Sequence, residues 1–148
     1  MTETLLVSGA LANVHGIKNE ELLHFLSQNL PDAEFYQLTG ASAAAIDWRG
    51  IFRDTGAAAS IAALLWMAYV EIVEPTKKEQ ESDAGIYVVL GNEESQQFWI
   101  GKDFRDRDIF VQTFSKEWQR ITETENERKR IELEIEETRE SKSWIRVE

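Results

Sequence analysis

Apolar residues recur at helical spacing in some stretches of this chain and at strand spacing in others, and the alternation lays out most of its elements. Thr4 to Ser8 (TLLVS) is a short apolar run followed by a glycine, which predicts a buried strand. Leu22, Leu23, Leu26 and Leu30, with Phe25 alongside, form a helical stripe that opens at Asn19 and stops at Pro31. Ala33 to Thr39 (AEFYQLT) predicts a second strand, closed by Gly40. A strand, a short helix and a strand in such close order predict a βαβ unit with parallel pairing. Residues 41–54 carry no clean period. Ile46 and Trp48 suit a short strand, and Ile51 and Phe52 suit an early turn of the helix that follows.

That helix, Thr55 to Val73 (TGAAASIAALLWMAYVEIV), is the most apolar stretch of the chain. Asp54 or Thr55 caps its start, and Pro75 forces the chain out of helical geometry at its end. Ala58 and Ala62, and Ala59 and Ala63, stand four apart and let another element approach closely. A helix apolar on all sides belongs in a core or in a membrane. The run from Ala57 to Val73 is at the short end of the about 17–25 residues a bilayer requires, and Glu71 lies inside it, so the core reading is preferred over the span.

Downstream, Ile86–Leu90 and Gln97–Ile100 flank a polar turn and predict a β-hairpin. Alternation places Ile86, Val88, Leu90, Phe98 and Ile100 on one face, and Tyr87, Val89 and Trp99 on the other. The second face is apolar enough to need a cover or a partner. Phe110, Phe114, Trp118 and Ile121 then form a helical stripe behind a cap at Asp106 or Asp108. Beyond Ile121 the stripe runs into charge. Residues 122–142 favour a helix supported by pairs such as Glu125–Lys129, although Ile131–Ile135 (IELEI) also alternates as a strand would. Trp144, Ile145 and Val147 close the chain with apolar residues that either fold back, fray or meet a partner.

The fold expected is α+β, or α/β, with a four-stranded mixed sheet. It comprises the N-terminal βαβ unit, the central apolar helix, the hairpin and a long C-terminal helix. Residues 1–121 form one compact domain, and 122–148 a charged helical extension with an apolar C-terminus. The net charge of −11 argues against nucleic acid as a partner, since such proteins carry a basic footprint. With no cysteine, disulfides and thiolate chemistry are excluded. The start MTETLLVSGALANV lacks the basic segment of a secretory signal, which points to the cytoplasm, with membrane association the minority reading.

No catalytic, cofactor-binding or metal-ligating residue is assigned. His15 and His24 show no ligand spacing, Asp47, Asp54 and Asp103 are explained by turns and caps, and the glycines make no phosphate loop. The alternating charges of Lys102–Asp108 read as a solvated connection.

The order strand, helix, strand, then Ala/Gly-rich helix (Gly56–Tyr69), hairpin (Ile86–Ile100) and closing helix resembles the small effector-associated constant components of bacterial conflict systems. The resemblance covers roughly residues 4–121 in order and spacing, and the charged segment from Thr122 departs from it. It implies a non-enzymatic module encoded beside proteases or nucleotide-dependent effectors, and it carries over no functional residue. The expected function is therefore protein binding, to itself or to a neighbouring gene product, as an accessory component of a defence or conflict system. Tyr87, Trp99, Trp144, Ile145 and Val147 are the candidate partner-binding residues. Enzymatic activity is left open and is not favoured. The alternatives are an acidic inhibitor or immunity protein that blocks a basic effector surface, and a membrane-associated component held through residues 55–73.

Overall fold

The computed structural model describes residues 5–12, 19–39, 47–53, 58–76, 84–91 and 97–147. Its elements are β1 (Leu5–Ala12), α1 (Asn19–Asn29), β2 (Glu34–Leu38), β3 (Trp48–Phe52), α2 (Ala58–Ala68), β4 (Gly85–Leu90), β5 (Gln97–Ile100), α3 (Arg107–Thr122), α4 (Glu125–Glu140) and β6 (Trp144–Val147). The class is mixed α+β, with six strands in one antiparallel sheet ordered β5-β4-β1-β3-β2-β6.

Two features of the expected sheet need correction. It has six strands among the described residues rather than four, and it is antiparallel rather than mixed. β1 and β2 do run in the same direction, but β3 lies between them and pairs antiparallel with each. The missing strand is Trp48–Phe52, whose second half was expected to start the helix. All of Trp48, Gly50, Ile51 and Phe52 is buried, so it reads as a continuous run instead of an alternation. The sixth strand, β6, pairs with β2, matching Leu38 with Trp144 and Phe35 with Val147.

The register assigns the two faces of the sheet. Leu5, Val7, Trp48, Phe52, Phe35, Ile86, Val88, Phe98 and Ile100 share the first. Three helices cover it, with α2 between α1 and α3. Phe98 is the aromatic centre of one end, with ring centroids 5.4–5.7 Å from Phe104, Phe110 and Phe114. At the middle, the Trp48 ring lies across Gly9. A Cβ there would sit 2.2 Å from the Tyr87 carbonyl oxygen and 2.9 Å from the ring, so the position requires glycine.

α2 packs through Ala58, Ile61, Ala62, Leu65 and Ala68, and its axis continues as a wide π-turn, Tyr69–Val73, that buries Tyr69 and Val73. Its other side faces outward, with Met67 48 % and Val70 41 % exposed. The helix is therefore apolar on all sides but packed on one, because it is the middle helix of a single layer. The segment Ala58–Thr76 is long and apolar enough to cross a membrane, and 39 % of it is buried here. The capping positions 54 and 55 lie outside the described residues.

α3 begins at Asp106, whose side chain accepts from the Ile109 amide, and buries Phe110, Phe114, Trp118 and Ile121. The helix then ends at Thr122, and the chain turns. Arg120 donates to Glu117 and reaches Glu127 at 3.3 Å, bridging the corner into α4. Residues 131–135 are helical. α4 carries a new inward stripe of Ile131, Ile135 and Thr138 and lies against the second face of the sheet. The interruption at 123–124 is what frees this stripe from the register of the previous one.

Candidate functional site

Leu6, Ser8, Ile51, Arg49, Glu34, Tyr36, Trp144 and Arg146 share the second face by register. Near β2 this face is polar. Glu34 is a strand residue surrounded by Ala33, Phe35 and Tyr36, and its side chain is 9 % exposed. The Arg139 guanidinium on α4 donates to both of its oxygens, and the Tyr36 hydroxyl donates to Oε1 at 3.0 Å. Arg53 and Arg146 stand 3.8 and 3.7 Å away. The bonds from Arg139 and Tyr36, with the charges of Arg139 and Arg146, hold the Glu34 carboxyl below its usual range, Arg139 most of all, against the opposing effect of burial. The same surroundings push the Tyr36 hydroxyl up, burial first and then the bond to Glu34. One strand over, Arg49 donates to Thr138 Oγ1 at 2.7 Å and lies 4.6 Å from the centre of the Trp144 ring.

On the first face, at the same edge, α1 and β6 leave an open groove of about 810 Å³. Glu20, Glu21 and His24 of α1 form its wall, and Gln37, Ile145 and Val147 its floor. Ile145 is 56 % exposed. Among the described residues β6 is the last strand of the sheet, and one of its edges has no strand beside it. The Thr39 amide donates to the Ser143 carbonyl at 2.8 Å. Antiparallel alternation from that pair turns residues 143, 145 and 147 toward β2, and turns the N–H and C=O groups of Trp144 and Arg146 outward.

The sequence-derived candidates separate into two groups at opposite ends of the sheet. Tyr87 and Trp99 are half-buried cross-strand neighbours on the second face, 6.1 Å apart in a T-shaped contact, with Lys102 over the Trp99 ring. Trp144, Ile145 and Val147 form β6, Trp144 facing the arginines and the other two facing the groove. Glu20, Glu21, Glu34, Arg53, Arg139 and Arg146 were not foreseen. A charge at the start of an otherwise mostly apolar strand, Glu34, was the one local signal available. His15 and Asp54 lie outside the described residues, His24 and Asp103 are exposed, and no three His, Asp or Glu residues gather among the described residues to hold a metal ion.

No family model matches the chain, and no curated protein or solved structure matches it significantly.

Proposed function

We propose that the protein is a non-enzymatic interaction module that binds another protein by accepting an extended segment along β6. The observation that carries this reading is the edge of β6, which no strand covers among the described residues, beside an open groove with Ile145 exposed in its floor. Strand addition draws affinity from backbone hydrogen bonds and selectivity from alternate side chains, and β6 offers both. The resemblance in element order supports a role as an accessory component of a bacterial defence or conflict system, acting in the cytoplasm on a neighbouring gene product.

The test is selection of extended ten-residue segments from a random library, followed by amide exchange. Bound segments are expected to slow exchange at Trp144 and Arg146, whose amides point outward. Protection confined to any other surface would overturn the reading. Ile145→Asp, which alters an exposed side chain, is expected to leave the melting temperature unchanged and to abolish that protection.

A second reading has its own observation. The outward side of α2, with Met67 and Val70 exposed, supports membrane association through residues 55–73. Flotation with lipid vesicles tests it, and a protein that stays at the bottom of the gradient removes it.

A further inference from the structure

The two sides of β6 carry opposite charge. Side chains of a strand alternate between faces, so a segment laid along β6 meets both sides at once. On the groove side it meets Ile145 and Val147 under Glu20 and Glu21, an apolar floor with an acidic wall. On the other side it meets Arg146, in a cluster where three arginines share one carboxylate. Arg139 is engaged by Glu34 through hydrogen bonds. Arg53 and Arg146 stay beyond hydrogen-bonding distance of Glu34, and among the described residues no other carboxylate comes within 4.0 Å of either. Their side chains are 69 % and 57 % exposed, so their donors are accessible from outside.

We infer that the segment recognised at β6 alternates, with acidic residues toward Arg146 and apolar residues, basic where they pass Glu20 and Glu21, toward the groove. This rests on the strand-addition reading above. A charge-assisted hydrogen bond from Arg146 to a carboxylate of the added strand supplies the selectivity. A second copy of this chain does not fit the description. Pairing β6 with its own copy would offer Arg146 no carboxylate, because Trp144–Val147 contains none. The occupant is a segment of a different protein.

Two ten-residue peptides test this, one alternating valine with glutamate and one alternating valine with glutamine. The glutamate peptide is expected to bind about ten-fold more tightly, the value of one charge-assisted contact, and to protect the Trp144 and Arg146 amides. Arg146→Glu should reverse the order of the two peptides. Because a glutamate there also faces Glu34, Arg146→Gln serves as the milder variant and should bring the two affinities together with the melting temperature unchanged. Equal binding of both peptides to the wild-type protein, with the two amides protected, overturns the charge rule and leaves strand addition standing. Protection by neither peptide overturns both.

Discussion

The two faces of the sheet are held down by different physics. On the first, three helices meet it through large apolar side chains, with Phe98, Phe110 and Phe114 fully buried. On the second, α4 contributes two isoleucines and a threonine to burial, and much of its attachment near β2 is polar, through Arg139 to Glu34 and Thr138 to Arg49. The first face stores its stability in many weak contacts that no single charge controls. The second combines buried Leu6, Ile51, Ile131 and Ile135 with polar contacts centred on one carboxylate. That contrast has measurable consequences.

The largest effect is expected on the first face. Phe98→Ala removes a ring at the meeting point of three others, and should cost about 4 kcal/mol in urea unfolding. A loss under about 1 kcal/mol would mean that this end of the core is loosely packed.

Next comes Glu34→Gln, which leaves Arg139 facing a neutral partner and should cost about 3 kcal/mol at pH 7. The figure sits at the low end for broken buried pairs because the arginines are partly exposed and can turn toward water. Its pH dependence sharpens the comparison. Glu34 has a folded-state pKa below the usual 4.5, so its contribution is present in full above pH 4.5 and is lost as pH falls through the lower, folded value. The gap between the wild type and Glu34→Gln should therefore narrow on acidification, while the gap between the wild type and Phe98→Ala stays constant. A constant gap for both would show that Glu34 is not the fastening point of the second face.

Ala62→Leu probes the first face from the opposite direction. Ala62 is fully buried where α2 meets the core, and added volume should cost about 2 kcal/mol in the same urea unfolding. Full stability would show spare room beneath α2. The smallest effect belongs to the outer side of α4. Lys129 pairs with Glu125 at 3.4 Å with both side chains mostly exposed, so Lys129→Ala should change stability by less than about 0.5 kcal/mol. A larger loss would make surface charge, and not only the Glu34 cluster, part of what holds α4.

Much of this architecture was legible in local pattern. The stripe of α1, the stripe of α3, the hairpin and its division into Ile86, Val88 and Leu90 against Tyr87, Val89 and Trp99 all follow from spacing of 3.6 or 2, which adjacent residues determine among themselves. The helical state of residues 131–135 followed from the charged pairs flanking them. β3 escaped because Trp48–Phe52 is buried through most of its length, and a strand without alternation has no period to read.

The candidate site was legible only in fragments. Trp144, Ile145 and Val147 stood out as apolar residues after a charged run, but nothing near them said that their neighbour would be β2. Glu34 and Arg139 are 105 positions apart in the chain. Strand order and cross-strand partners are set by which pairing buries most surface and satisfies most backbone groups over the whole chain. The sequence alone determined that α1, α2, α3 and the hairpin form, and which side of α1, α3 and the hairpin is apolar. The tertiary structure alone decided that β3 separates β1 from β2, that α4 closes the second face, and that β6 ends the sheet with an acidic groove on one side and arginines on the other.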